Sequence, residues 1–97
     1  MQIENGKVEG DVEISTDFKM HGMFAGNVTV KSGGYLILYG LITKNLTIEQ
    51  GAVVEIPGMV SGNITNNGGK LTVTGMVSGK IINLSGETDI SSNASVG

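Results

Sequence analysis

The chain has 97 residues, enough for one small domain, and it contains no cysteine, which excludes disulfides, thiolate metal sites and a cysteine nucleophile. Six scattered lysines and a net charge of −3 provide no basic face for a nucleic acid. Glycine is abundant, at 16 residues, and only 15% of residues are charged. Many short strands joined by tight turns are therefore expected. No apolar run is long enough to cross a bilayer, and the first ten residues lack the pattern of a signal peptide.

Five segments that begin with glycine repeat along the chain. The leading glycines are 16, 18, 18 and 17 residues apart, at Gly6, Gly22, Gly40, Gly58 and Gly75. Each starts the pattern G-x-h-x-G-x-h-x-h, where h is mostly aliphatic, and a turn and a second alternating pair follow. Alternation with a period of two is typical of half-buried strands. The repeat predicts coils at about 6–21, 22–39, 40–57, 58–74 and 75–91, with the residues before and after them outside the coils.

A repeat of about 17 residues with three short strands predicts one coil of a β-solenoid. The expected fold is all-β, a single domain over residues 1–97, with five stacked coils that form a rod of about 24 Å at ~4.8 Å per coil. The glycines are expected at the corners, where the chain needs positive φ or a close backbone approach. A second glycine column contains Gly10 and Gly26 and is interrupted by Lys44, whose side chain should point away from the rod. The pairs Gly33-Gly34 and Gly68-Gly69, with Gly51 and Gly86, should form the third corner.

The segments Gly6-Lys7-Val8-Glu9-Gly10-Asp11-Val12 and Gly58-Met59-Val60-Ser61-Gly62-Asn63-Ile64 resemble the bactofilins, and the resemblance covers about residues 6 to 91. Bactofilins are bacterial cytoskeletal proteins that form filaments. The resemblance implies a right-handed, three-sided parallel β-helix that stacks end to end without a nucleotide. It also implies a structural protein rather than an enzyme, with no cofactor. The expected location is the cytoplasm or the inner face of the cell membrane, and the expected partners are further copies of the chain and the membrane or cell-wall machinery.

End-to-end stacking predicts which residues make the contact. Each end of the rod should present unpaired strand backbone and a layer of apolar side chains, which together can template another subunit. Neither end shows a capping helix in the sequence, although monomeric solenoids usually need one. The predicted contact residues at the first end are Val8, Val12, Ile14, Phe18 and Met20, and those at the other end are Val77, Ile81, Leu84 and Ile90.

Apolar residues also occupy positions that the alternation places on the outside. One column after the leading glycines contains Met23, Leu41, Met59 and Met76, and the second coil adds Tyr35, Ile37 and Tyr39. These residues form either an exposed interface or a corner where side chains fold inward to complete the core. The exposed interpretation supports an alternative function, in which a monomeric solenoid binds a protein or a glycan through this face.

Three further patterns have interpretations of their own. A hexapeptide acyltransferase would need a catalytic histidine in a cleft, whereas His21 shares an outward column with Tyr39, Pro57 and Thr74. A column of Thr29, Thr47 and Thr65 is a feature of ice-binding solenoids, although ordinary cross-strand stacking also explains it. Asn66 and Asn83 fall at inward positions and should bond to each other and to the backbone. We assign no catalytic, metal or cofactor-binding residue.

Overall fold

The computed structural model describes residues 2–97, and within that range the regular structure consists of strands, with no helix. Most strands have two to four residues, because the apolar alternation is interrupted by glycine at each corner. The strands are β1 (Gln2–Glu4), β2 (Lys7–Glu9), β3 (Val12–Ile14), β4 (Asp17–Met20), β5 (Met23–Ala25), β6 (Val28–Val30), β7 (Tyr35–Leu38), β8 (Leu41–Ile42), β9 (Leu46–Glu49), β10 (Val53–Ile56), β11 (Met59–Val60), β12 (Ile64–Val73), β13 (Met76–Val77), β14 (Ile81–Ile90) and β15 (Ser95–Val96).

The strands form three flat faces around one core, and every strand pairs in parallel with the strand one coil away. We name the faces after residues that point outward from them. The methionine face contains β2, β5, β8, β11, β13 and β15. The threonine face contains β3, β6, β9 and the first halves of β12 and β14, and the charged face contains β1, β4, β7, β10 and the second halves of β12 and β14. The chain is therefore a three-sided parallel β-helix, as predicted.

The number of turns differs from the prediction. The solenoid has about six turns rather than five, because strands form on both sides of the repeat. Strand β1 pairs with β4, and β15 pairs with β13, although residues 2–4 and 95–96 were expected outside the coils. Strand β15 is hard to recognise in the sequence because Ala94 stands where the other coils have their leading glycine. Strand β1 is hard to recognise because its inward residues are Gln2 and Glu4.

The core lies between the faces and consists of the inward residue of each alternating pair. The burial pattern of β7, for example, alternates between half-buried and buried positions. Each inward column continues from coil to coil, so that Leu36 lies between Phe18 and Val54 and is fully buried. The Cα atoms extend over 28 × 25 × 20 Å, so the molecule is almost as wide as it is long.

Two different constraints place glycine at the corners. A Cβ atom on a leading glycine such as Gly40 would overlap the carbonyl oxygen of the leading glycine in the preceding coil. At the corner between the threonine and charged faces, the glycines instead have φ between 82° and 108°, which side chains disfavour. These glycines are Gly33, Gly51, Gly68 and Gly86, and they confirm the predicted third corner. Lys44, which interrupts the second column, is exposed as expected.

Candidate assembly surfaces

The strands at the two ends of the solenoid each have one neighbour instead of two. The first end is formed by β1, β2 and β3, and the other end by β14 and β15. Within residues 2–97 no helix lies over either end. The outer edge of each terminal strand therefore presents backbone N–H and C=O groups without a partner strand, which is the arrangement that another strand can extend.

The C-terminal end is rich in exposed apolar side chains. Leu84 is 65% exposed and Ile90 is 45% exposed, and Val96 on β15 is also exposed. Ile81 continues the inward column of Ile64 and packs against the core. Ile82 points outward and is exposed. The predicted contact residues Ile81, Leu84 and Ile90 therefore do lie in the terminal layer.

The N-terminal end is more polar than the sequence suggested. The pairing of β1 with β4 places Gln2 and Glu4 in the inward columns of Phe18 and Met20, whereas Ile3 points outward and is exposed. The backbone N–H of Gly6 donates to Oε2 of Glu4 at 3.0 Å. Two polar side chains therefore cover the charged-face side of this end.

Strands β1 and β15 change which of the predicted contact residues are accessible. Met20 lies opposite Glu4 and Val77 opposite Val96, and both Met20 and Val77 are buried. Their assignment to the ends was wrong, because each has a further strand between it and solvent. Ile14 belongs to a terminal strand, but only 4% of its surface is exposed. The other predicted contact residues at this end are half-buried in terminal or penultimate strands, namely Val8, Val12 and Phe18.

The predicted lateral residues divide between two faces. Met23, Leu41, Met59 and Met76 lie opposite one another in the outward column of the methionine face, and none is buried. Tyr35 and Ile37 point outward from the charged face, where they are half-buried. Tyr39 is 50% exposed at the corner between the two faces. The apolar residues thus point outward, but they do not form the single surface that the sequence suggested.

The tyrosines make specific contacts on the charged face. The ring of Tyr39 stacks on His21 with 4.8 Å between centroids and 3° between planes, and Nζ of Lys19 lies 5.8 Å from the Tyr39 centroid. The Tyr35 hydroxyl donates a hydrogen bond to Oε2 of Glu55. This hydrogen bond raises the pKa of Tyr35, and burial and the negative charge of Glu55 act in the same direction.

A ladder of side-chain hydrogen bonds runs along the corner between the methionine and threonine faces. The backbone N–H of Asn45 donates to Oδ1 of Asn27 at 3.2 Å, and that of Asn63 donates to Oδ1 of Asn45 at 2.9 Å. Asp11 accepts from Asn27 at one end, and Lys80 donates to Asn63 at the other. Each of these three asparagines lies immediately before a strand of the threonine face. The available signal was the recurrence of Asn or Asp one position after the second glycine column, in which Lys44 takes the place of glycine before Asn45.

The two inward asparagines are linked through a threonine. Asn66 is fully buried and donates from Nδ2 to the carbonyl oxygens of Gly69 and Glu87 and to Oγ1 of Thr88. Its Oδ1 accepts from the Gly69 N–H at 2.8 Å. Thr88 in turn donates to Oδ1 of Asn83 at 2.9 Å. The predicted backbone bonds of Asn66 are confirmed, whereas Thr88 bridges the two asparagines instead of the direct contact that we expected.

Residues 2–97 contain few other groups of side chains that could bind a ligand. No three histidine, cysteine or carboxylate side chains of residues 2–97 lie close enough together to hold a metal ion. Shallow grooves follow the corner between the threonine and charged faces, and backbone of Gly51, Gly68 and Gly86 lines them. His21 is exposed, as predicted, and its neighbour is Tyr39.

Three parallel faces wound around one apolar core define the chain as a β-solenoid protein. Compared with protein-family models, with curated proteins and with solved structures, the chain matches none. A search of residues 2–97 for helices with the length and hydropathy of a membrane span finds none.

Proposed function

We propose that the chain is a structural protein that assembles into filaments or oligomers by end-to-end stacking of its solenoid, as the resemblance to bactofilins implies. The observation that carries the proposal is the exposed apolar layer of the C-terminal end, with Leu84 and Ile90 on a strand that has one neighbour. Stacking removes these side chains from water and gives the open strand edge a partner.

Stable stacking requires both the burial of apolar side chains and hydrogen bonds between the terminal strands. Burial of the exposed parts of Leu84, Ile90 and Val96 is worth about 2–4.5 kcal/mol, if each gains about half of a full burial. Association costs roughly 4–15 kcal/mol, so the apolar contact alone is insufficient. Each new hydrogen bond between terminal strands adds about 0.5–1.5 kcal/mol. Stacking therefore depends on strand pairing across the junction, and we expect assembly to begin only above a threshold concentration.

The first experiment is negative-stain electron microscopy of the purified protein, together with sedimentation over a range of concentrations. We expect filaments or oligomers. The double substitution Leu84→Lys and Ile90→Lys places two charges in the junction and should leave the protein folded and monomeric. The control is Thr47→Lys, which adds a charge to the outward column of the threonine face, away from both ends. A wild-type chain that sediments as a monomer at every concentration and salt would contradict the proposal.

The N-terminal end can be tested in the same way. Val12 lies in the terminal strand β3 and packs against the core, so Val12→Arg should abolish assembly. Ile82→Arg is its control, because Ile82 belongs to a terminal strand but points outward. Circular dichroism would show whether the Val12 variant keeps its strands. Assembly that survives Val12→Arg in a folded protein would argue against a role for this end.

The proposal includes the remaining properties that the resemblance implies. Assembly proceeds without a nucleotide or a cofactor, in the cytoplasm or at the inner face of the membrane, and the partners are other copies and the membrane or cell-wall machinery. Addition of ATP or GTP should leave the threshold concentration unchanged, and a shift in that threshold would contradict this part of the proposal.

A second candidate function is supported by the stacked pair of Tyr39 and His21. Exposed aromatic rings of this kind are suited to binding a protein or a glycan partner. As a monomeric binding module, the chain would lose its partner on substitution of Tyr35→Ser and Tyr39→Ser. Loss of binding in a chain that still assembles would show that the two activities are separate.

A further inference from the structure

The methionine face has an unusual pattern of side chains in its two outward rows. The first row is occupied by Lys7, Met23, Leu41, Met59, Met76 and Ser95. The second row, two residues further along each strand, is occupied by Glu9, Ala25, Thr43, Ser61, Ser78 and Gly97. Between the first and last coils, a ridge of four large apolar side chains therefore runs beside a row of small ones.

Charge distinguishes this face from the other two. Its outward rows carry charges only in the first coil, where Nζ of Lys7 lies 3.5 Å from Oε1 of Glu9. The threonine face carries Glu13, Lys31 and Glu49, and the charged face has ionisable acidic or lysine side chains on β4, β10, β12 and β14. After the first coil, removal of water from the methionine face therefore buries no charged side chain. On either of the other faces it would bury charges in several coils, which is costly.

The polar atoms of the small row are compatible with a dry contact. The Thr43 hydroxyl already donates to the carbonyl oxygen of Phe24 at 3.2 Å, and it leaves its methyl group for packing. The serines at 61 and 78 are short and exposed, and Ala25 has no polar side-chain atom. Beside the ridge of larger side chains, the row therefore forms a shallow channel, over which we expect a methionine side chain of another copy to pack.

We propose that two copies of this chain pair laterally through their methionine faces, with their solenoid axes parallel. A twofold axis parallel to the solenoid axes relates the two copies. Such an axis reverses the strand direction but keeps each coil at the same height. The ridge of one copy then lies against the small row of the other, with Met59 facing Ser61 and Met76 facing Ser78 of the second copy. The contact is isologous, so each pairing occurs twice.

The same operation brings opposite charges together. Lys7 of each copy faces Glu9 of the other, which makes two intermolecular ion pairs in the first coil. With antiparallel axes the ridges would instead face each other, and Lys7 would lie near Ser95. Both the size pattern and the charge pattern therefore favour the parallel arrangement.

The area determines when pairing becomes stable. Six strands at ~4.8 Å spacing give a contact about 25 Å long and 10 Å wide, roughly 250 Å² per copy. A stable interface buries about 800 Å² per partner, so an isolated pair is weak. Filaments present the face repeatedly along their length and convert weak contacts into strong ones. The inference thus rests on the proposed end-to-end assembly, and it predicts filaments two solenoids wide.

The test reverses the two charges separately. Lys7→Glu and Glu9→Lys each place like charges opposite each other, and each variant should form filaments one solenoid wide by electron microscopy. Mixing the two kinds of filament should restore double width, because position 7 of each variant then faces an opposite charge at position 9 of the other. Neither variant regains the Lys7–Glu9 pair within its own chain, and both keep a net negative charge. Neither an ion pair within one chain nor a loss of net charge therefore explains this recovery.

A size variant provides an independent measurement. Ser61→Leu fills the channel that Met59 of the second copy enters, and it should give single-width filaments, whereas the control Thr65→Leu on the threonine face should not. Wild-type filaments of single width, or double filaments insensitive to charge reversal, would overturn the lateral contact and leave end-to-end assembly intact. A wild-type chain that forms no filaments would contradict the proposed function and this inference together.

Discussion

A methyl group added at Gly40 would overlap the carbonyl oxygen of Gly22, whereas one added at Gly10 would meet no atom within 4 Å. The φ of Gly10 is 86°, a left-handed conformation that alanine disfavours. Gly10→Ala should therefore lower the free energy of unfolding by only about 1–2 kcal/mol. We expect Gly40→Ala to lower the free energy of unfolding by at least about 3 kcal/mol, since two coils must separate to make room. Urea unfolding of both variants measures the difference. An equal loss of unfolding free energy in the two variants would show that the close approach of the Gly22 carbonyl to Gly40 adds no constraint of its own.

Tyr35 gives the stability a specific pH dependence. Its pKa is raised above the usual 10.0, so the protonated hydroxyl is favoured in the folded chain. The stabilisation is therefore complete below about pH 10 and is lost as the pH rises through the raised pKa. Tyr35→Phe should cost about 1 kcal/mol at neutral pH, and this difference should diminish in alkali. Thermal unfolding at both pH values tests the prediction, with Tyr39→Phe as the control. A difference that grows in alkali would contradict the assigned sign.

Individual residues also show where sequence reasoning succeeded. The exposed position of Lys44 and the outward position of His21 followed from their columns in the repeat. The role of Asn45 did not follow, because a corner position does not reveal that a side chain accepts a bond from the next coil. The link from Asn66 to Asn83 through Thr88 likewise depends on a residue that lies around a corner.

At the scale of the strand and its corner, the asparagine ladder joins successive coils. Asn45→Ala removes the acceptor for the Asn63 N–H and should lower the free energy of unfolding by about 1 kcal/mol. Asn45→Asp retains the acceptor and should cost much less, as Asp11 already accepts from Asn27 in the same column. Chemical unfolding of the two variants measures the contrast. Similar losses in both would mean that the amide group, rather than its oxygen, is needed.

The strands that were missed show the limit of the repeat as a signal. Alternation located the coils from Gly6 onward, since inward columns of aliphatic residues define them. In β1 the polar residues Gln2 and Glu4 take the inward positions and Ile3 points outward, so the alternation is inverted. Before β15, Ala94 stands where the other coils have their leading glycine, so the repeat does not mark Ser95 and Val96 as a strand. Both strands exist because a neighbouring strand offers them an edge.

The polarity of the N-terminal end has a consequence for the whole molecule. Glu4 terminates the inward column of Met20 and keeps a carboxylate in the layer that stacking would bury. Glu4→Leu should therefore lower the threshold concentration for assembly severalfold. Full burial of a leucine side chain is worth about 1.5–3 kcal/mol, and a leucine at this end would gain part of that on stacking. Light scattering against concentration measures the threshold.

Glu13→Leu is the matched control for Glu4→Leu, because it makes the same change of charge at an outward position. An equal response of both variants would mean that net charge, rather than the chemistry of the end, governs assembly. No response to Glu4→Leu would indicate that the N-terminal end takes no part in the junction.

The candidate surfaces were predicted less well than the fold. Met20 and Val77 were assigned to the ends because β1 and β15 could not be recognised in the sequence. Tyr35 and Leu41 were grouped because both point outward, but the corner at Gly40 sends them to different faces. A period of two determines whether a side chain points in or out, and it carries no information across a corner.

The coil-to-coil register also bears on how such a chain can evolve. Residues 40–57 form one complete coil. Gly58 packs against the carbonyl oxygen of Gly40 in the same way as Gly40 packs against that of Gly22, and the strands that follow pair in the same register. Deletion or duplication of such a unit would leave the remaining ladders aligned and both terminal surfaces unaltered. Selection can therefore adjust the height of the subunit without redesigning the chemistry of its junctions. The spacing of any features along an assembled polymer would then be encoded in the number of duplicated units.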